Sequence, residues 1–473
     1  MDPIESLALP QTGPLLPLLP PKLPLKRTLP SLPPRLRSPL ESIGWDLSSF
    51  TVPAAFPRSY RNSTKSPTTT EGEEEVGGDK VGDKEELWNR LIKPQVESFN
   101  DPIKLQDQEE LDKQEQLVLK VNRYRPKQKK KETKGLTLVF SHANGFYKEV
   151  WEPMLLELLK DFEEDDCCLP IEEIWALDCV LQGDSAILNE DVLGTVFNWC
   201  DHGRDILNFI ISYIDSEPSP SLKEGDLVEP SLNVDPQLFK LDNDVSSIPP
   251  PGATRTIPSE RRYRDKIIVG IGHSLGGGGT AFAATACPSL FSSVIFLDPV
   301  LVTPHYPSKS TKPLASGALV RREKWNSREE AFEGFLKKAF FRSWDEKVLK
   351  GYCEFGLRET SDGKVALKTT ARNEAGNLGG PEFFFSIRAN LRLATLPSSL
   401  PVHWIWAEEN RSVLPEFNIR QLVEERVPHS TMSRVEGAGH LIVHEKPKET
   451  ARLIGNFLKK TYPSSTNIRV AKL

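Results

Sequence analysis

The stretch Asp265–Val302, "DKIIVGIGHSLGGGGTAFAATACPSLFSSVIFLDPVLV", decides the fold. Ile267–Val269 are β-branched and bounded by charge and glycine, so they read as a buried strand. The strand runs into Gly272-His-Ser274-Leu-Gly276, the G-x-S-x-G pattern of a nucleophile elbow. There a serine stands on a strained strand-to-helix turn with its hydroxyl projecting. Glycines two residues to either side let neighbouring backbones come close. The small residues after the elbow predict a helix, and "SSVIFLDPVLV" predicts the next strand. Strand, turn, helix, strand is the unit of a parallel sheet.

The same alternation extends outward. "GLTLVFSHANGF" is a strand (Leu136–Phe140) entering a glycine-containing loop. "EVWEPMLLELLKDF" has helical spacing, "IEEIWALDCV" is a strand, and "VLGTVFNWCDHGRDILNFIISYI" is helical again. Past the elbow, "PVHWIWA" and "TMSRVEGAGHLIVHEKPKETARLIGNFL" resume the pattern. Between residues 304 and 395 it stops, and "REKWNSREEAFEGFLKKAFFRSWDEKVLKGYCEFGLRE" and "PEFFFSIRANLRLA" are amphipathic helix. The expected architecture is α/β: a mostly parallel central sheet flanked by helices, with a helical cap inserted after the sixth core strand. The core is expected at residues 131–303 and 396–462, and the cap at 304–395.

The flanks read differently. Residues 1–60 are proline-rich, which removes backbone donors and blocks helix, so a disordered, polyproline-like arm is expected, its PxxP spacing offering a partner segment. Residues 61–130 are charged and read as a largely disordered linker, although "EQLVLKVNRYRP" suits an opening edge strand and "ELWNRLIKPQVESF" has some apolar content. The basic run Lys127–Lys131 reads as solvated. Residues 215–262 lack periodicity and are expected to be a disordered surface insertion. Residues 463–473 are expected to be an exposed tail.

Bulk numbers limit the function. The 473 residues include 39 prolines, only 38% are hydrophobic, and the net charge is −6. A nucleic-acid binder would normally be basic. No apolar run is long enough to span a membrane. The six cysteines form no CxxC pair and read as reduced thiols. Asn62-Ser-Thr and Asn410-Arg-Ser match the glycosylation pattern, but no secretory signal supports its use. No metal or organic cofactor is implied.

A serine nucleophile needs a general base, and in this architecture the chain order is serine, acid, histidine. His440, on the glycine-rich loop of "VEGAGHLIVHEKP", suits the base; His444 reads as the start of the following helix. His142 and His273, beside the two glycine turns, read as packing and hydrogen-bonding residues. The acid has two placements. Asp298 ends the strand that follows the elbow helix, at the carboxyl edge where catalytic groups gather. Glu408 or Glu409 follows the strand "VHWIWA", with Asn410 where an aspartate is often found. For the oxyanion hole, one N–H is expected from Leu275 and the second from Asn144, with Ala143 as the neighbouring alternative.

Six stretches together, "FSHANGFYKEVWEP", "ALDCVLQGDSA", "FNWCDHGRDIL", "GHSLGG", "LFSSVIFLDPV" and "GAGHLIVHEKP", resemble the fungal peroxisomal serine hydrolases of the α/β-hydrolase superfamily. That group includes lipase-like enzymes and hydrolases of toxin biosynthesis. The resemblance covers roughly residues 130–460 outside the insertion. It implies Ser274 as nucleophile, Asp298 as acid and His440 as base. The chain departs from it at Ala143, where many relatives carry glycine, and in the arm and the insertion. The terminal Ala471-Lys472-Leu473 fits the small–basic–Leu form of the peroxisomal address. The expectation is a peroxisomal hydrolase of an apolar ester or thioester, delivered by the import receptor that reads this C-terminus. An acyltransferase using the same acyl-enzyme, and a non-catalytic binding protein of the same fold, are the alternatives.

Overall fold

A computed structural model of the chain describes residues 16–33, 35, 37–65, 83–98, 102–104, 106–128, 134–163, 168–194, 196–215, 227–228, 266–302, 312–379 and 382–464. Most of the 215–262 insertion and the terminal Ala471-Lys472-Leu473 lie outside the described residues.

Eight strands form the central sheet: β1 (Trp45–Pro53), β2 (Val118–Pro126), β3 (Leu136–Ser141), β4 (Ile171–Leu177), β5 (Ile267–His273), β6 (Ser293–Leu297), β10 (Val402–Ala407) and β11 (Thr431–Val435). Their order is β1-β2-β4-β3-β5-β6-β10-β11. From β4 to β11 all neighbours are parallel, whereas β2 runs antiparallel to both β4 and β1. Strand β5 lies between β3 and β6, with Ile271 opposite Phe140 on one side and Ile295 on the other. Every residue of β3, β6 and β10 is buried. Helices cover both faces of a parallel sheet, so its central strands read as continuous apolar runs rather than alternating ones. The elbow helix Leu275–Ala286 is buried throughout, and its four glycines and its alanines let it lie close to the sheet and to the helix Trp199–Ser212. The last helix, Pro447–Thr461, opens with proline at its first position, where no donor is lost.

The arm and the linker differ from expectation. Trp45–Pro53 pairs with Val118–Pro126 over nine residues, so β1, not β2, is the edge strand and the sheet begins well before residue 131. The described part of the proline-rich arm is held by side chains. Arg27 Nη1 donates to Leu188 O at 2.6 Å, and Lys22 Nζ donates to Leu111 O and Gln114 O at 2.8 and 2.9 Å. Arg35 pairs with Glu149 at 3.1 Å and with Glu152. A segment poor in backbone donors can still be ordered when cationic side chains donate to the core in their place. Within the linker, Lys84–Leu87 and Trp88–Ile92 place Leu87, Trp88 and Ile92 against Ala315, Ala318, Leu319 and Ala375 of the cap.

The cap follows β6, the sixth strand in chain order. It holds the helices Lys312–Leu319, Arg328–Leu336, Ala339–Arg342, Glu346–Phe355, Ala371–Gly379 and Glu382–Leu393. It also holds a small antiparallel sheet that was not expected: β7 (Lys324–Trp325), β8 (Leu357–Glu359) and β9 (Val365–Leu367), ordered β7-β9-β8. Strands of two or three residues give no periodicity to read. Among the described residues no helix is long and apolar enough to cross a membrane.

Candidate active site

Ser274 sits between β5 and the elbow helix with φ 54° and ψ −115°. This backbone region costs a non-glycine residue on the order of 1–3 kcal/mol, and it persists where the surroundings enforce it. The surroundings are tight. A Cβ on Gly272 would meet Gly276 O at 2.2 Å, and one on Gly276 would meet Ser141 O at 2.1 Å. Backbone bonds pin the turn: Ser274 N–H donates to Leu297 O at 3.1 Å, Val300 N–H to Ser274 O at 3.1 Å, and Gly276 N–H to His142 O at 3.2 Å. The residue is 6% exposed.

His440 arrives on the loop after β11. Its Nε2 lies 2.9 Å from Ser274 Oγ and its Nδ1 lies 2.5 Å from Asp298 Oδ2. These partners assign the tautomer: Nδ1 carries the proton toward the carboxylate and Nε2 accepts from the serine. The His440 carbonyl is held in turn by His273 Nε2 at 2.9 Å. Burial, and next the proximity of His440, push the His273 imidazole down to about 3, so it stays neutral and donates there.

Asp298 is fully buried at the end of β6, at a positive φ of 35°. Besides His440, its carboxylate accepts from Ala407 N–H at 3.1 Å and Val413 N–H at 3.3 Å. Both donors belong to the exit of β10, the loop that carries the rival acids. Of these, Glu408 is 45% exposed at its side chain and pairs with Arg411 at 3.1 Å. Glu409 and Asn410 are exposed, and Asn410 N–H donates to Glu416 at 2.9 Å. The β10 exit thus contributes backbone donors to the site, and the carboxylate that reaches His440 comes from β6.

The oxyanion candidates flank the serine. Leu275 opens the elbow helix, so its N–H has no intrahelical acceptor. Asn144 lies in the loop after β3, and its side chain faces the cap: Oδ1 accepts from Asn377 Nδ2 at 2.5 Å and from Gln182, while Nδ2 reaches Glu374 O at 3.5 Å. Asn377 Oδ1 in turn accepts from Trp199 Nε1 at 2.8 Å. The loop bearing Ala143 and Asn144 is therefore tied to a cap helix more than two hundred residues along the chain.

Of the other groups around the site, His142 was read as a hydrogen-bonding residue, and the partners of the rest were not legible from sequence. His142 Nδ1 donates to Ala143 O at 2.8 Å and Nε2 accepts from Cys179 N–H at 3.2 Å, and burial pushes its imidazole down to about 4. His202 Nε2 lies 2.7 Å from Ser141 Oγ. His444, expected merely to start a helix, is a buried ring between Phe146 and Trp344, at 4.1 and 4.7 Å between centroids. Beneath the Asn144 loop, buried Lys148 Nζ lies 2.6 Å from Asp184, 3.0 Å from Glu149 and 3.2 Å from Asp178. Lys368 of the cap reaches the same Asp184 at 2.5 Å. Lys148, Glu149, Asp178 and Asp184 stand in two of the stretches that carry the resemblance and Lys368 stands far along the chain, so only the fold shows that these charges meet.

A serine elbow on a parallel sheet, a buried acid and a histidine between them define a class, and comparison with known families agrees: a profile of the alpha/beta hydrolase family matches residues 138–453. The chain belongs to that family. Among particular relatives, it is 27% identical over 243 residues to the Type I acyl-CoA thioesterase mpaH of Penicillium brevicompactum, covering 50% of this chain and 44% of that one. It is 31% identical over 172 residues to the Peroxisomal membrane protein LPX1 of Saccharomyces cerevisiae, covering 36% of this chain and 32% of that one. The chain thus spans less than half the length of these two relatives. It also matches the abhydrolase domain-containing protein AKT2 of Alternaria alternata, 27% identical over 240 residues, covering 43% of this chain and 88% of that one. The solved structure of the yeast peroxisomal alpha-beta-hydrolase Lpx1 superposes with a TM-score of 0.60 at 18% identity, over 88% of this chain and 89% of that one, a likeness of fold.

Proposed function

We propose that this chain is a serine hydrolase that cleaves a carboxylic ester or thioester through an acyl-enzyme on Ser274. The observation that carries the reading is the relay Ser274 Oγ to His440 Nε2 at 2.9 Å and His440 Nδ1 to Asp298 Oδ2 at 2.5 Å. His440 Nε2 takes the hydroxyl proton as Oγ attacks the acyl carbon. The tetrahedral oxyanion accepts from the N–H of Leu275 and of Asn144, or of Ala143 beside it. Collapse expels the alcohol or thiol, which leaves with the proton from His440. Water then attacks the acyl-serine as His440 removes its proton, and the second collapse releases the carboxylic acid and restores the serine. Asp298 holds the imidazole in the working tautomer and balances its charge.

The thioesterase named among the relatives supports including thioesters, and apolar acyl groups suit a site under a cap. Ala471-Lys472-Leu473 and the peroxisomal relative support delivery to the peroxisome by the C-terminal import receptor.

The test is labelling with a fluorophosphonate probe, followed by turnover on short and long acyl p-nitrophenyl esters and acyl-CoA thioesters. Wild type should label and Ser274→Ala should not, with turnover lower by about six orders of magnitude. A folded wild type that neither labels nor hydrolyses any of these would refute the reading. A fluorescent fusion lacking Leu473 should lose peroxisomal import.

A further inference from the structure

One surface of the cap takes no part in the relay. Where the helix Arg328–Leu336 ends and the short helix Ala339–Arg342 begins the chain forms a knuckle, Leu336-Lys-Lys-Ala-Phe340, whose five residues are all exposed. Phe340 is 57% exposed and Leu336 40%, among the few large apolar side chains of the described residues left in water. Isolated exposed apolar side chains are ordinary. This pair is bracketed by Lys337, Lys338 and Arg342, and no acidic residue occurs from Gly334 to Ser343. Among the described residues none of the three cations is paired with a carboxylate, and Arg342 Nη1 donates to the Lys337 carbonyl at 3.0 Å. Nearby acids are engaged elsewhere: Glu330 with Arg322 and Glu346 with Lys350, each at 2.6 Å. Glu333 stands one turn back on the preceding helix.

The knuckle is braced from within. Phe335 and Phe341 lie 4.5 Å apart between centroids, Phe341 and Trp344 4.9 Å, and Trp344 meets His444 and Phe146 at 4.7 and 5.5 Å. Its inner side is thus part of the core, and its outer side presents two apolar side chains amid three cations.

We propose that this knuckle is a peripheral docking surface for an anionic phospholipid bilayer, with Leu336 and Phe340 entering the headgroup–acyl boundary and Lys337, Lys338 and Arg342 meeting lipid phosphates. The combination matches what an interfacial segment requires, an apolar tip for the acyl boundary and cations for the headgroups. Each cation contributes a comparable share near an anionic surface. The chain as a whole carries −6, so its overall field opposes such a surface. Docking therefore depends on the local patch and weakens with salt. The proposal is independent of the hydrolase reading.

The test is flotation of the full-length chain with vesicles of phosphatidylcholine alone and of phosphatidylcholine mixed with phosphatidylserine. The chain should float with the mixed vesicles and stay behind with the neutral ones, and added salt should release it. Lys337→Gln and Lys338→Gln should each weaken binding about fivefold. Phe340→Ser and Leu336→Ser should weaken it at unchanged melting temperature, and Ser274→Ala should float like wild type. The proposal is overturned if wild type does not float, if the knuckle variants float equally, or if Phe340→Ser instead dissolves a dimer, which would make the knuckle a contact between two copies.

Discussion

The loops leaving β6 and β10 lie side by side and divide one task. The β6 exit supplies the carboxylate, Asp298; the β10 exit supplies two N–H groups that hold it, from Ala407 and Val413. The strands are direct neighbours in register, with Ile405 opposite Leu297 and Asp298 N–H donating to Ile405 O at 2.8 Å. Adjacent strands are separated by about 4.8 Å, so a side chain from either exit can approach the same imidazole. What separates them is burial. Asp298 is sealed in the core, whereas Glu408 spends its charge on Arg411 at the surface. An orienting acid requires a fixed, water-excluded carboxylate, and of these residues only Asp298 has one.

The contrast can be broken in four ways, taken in order of effect. Asp298→Asn should lower kcat about 10⁴-fold, because the amide offers Nδ1 the wrong partner and releases the tautomer. A loss of tenfold or less, with the fold intact, would move the acid to the β10 exit. Adding Asn410→Asp to that variant should recover less than about tenfold, since a surface carboxylate in water is worth little to a distant charge. Full rescue would mean the β10 exit can reorganise to reach His440.

The third concerns pH. The buried side holds His273, pushed down to about 3, as well as His142, down to about 4, both mainly by burial. An unfolded histidine gains its proton near 6.5 while these stay neutral in the fold, so they cost no stability above 6.5 and an increasing amount as pH falls from there toward 4. Each contributes up to about 1.4 kcal/mol per pH unit in that window. The melting temperature should fall from pH 7 to pH 5, and His273→Gln should flatten the slope. An unchanged slope would mean that water reaches the ring. The smallest effect belongs to the outer side: Glu408→Gln should change turnover less than about twofold and stability by less than about 1 kcal/mol, the ordinary value of an exposed pair. A crippled Glu408→Gln would reverse the assignment.

Legibility followed the same divide between local and distant causes. The elbow was readable because its requirements are local: a strand, a turn too tight for side chains at positions 272 and 276, and a small-residue helix. Ser274, His440 and Asp298 were each marked by position relative to a strand end. Strand β1 was hidden because its neighbourhood is dominated by proline, and because what secures the arm is a set of Arg and Lys contacts to residues far along the chain, such as Arg35 to Glu149. The linker helix was hidden for a related reason: Trp88 and Ile92 find their partners only on the cap.

By itself the sequence determined the α/β alternation, the elbow, the chain order of serine, acid and histidine, and the place where the cap interrupts the sheet. Each of these rests on short-range sterics or on periodic burial. The tertiary structure alone decided which of two acids faces the histidine, that the other acid's loop donates to the first, and that Asn144 is locked by Asn377 of the cap. Those choices depend on which strand ends become neighbours and which groups are sealed from water, and both are set by the folding of the whole sheet.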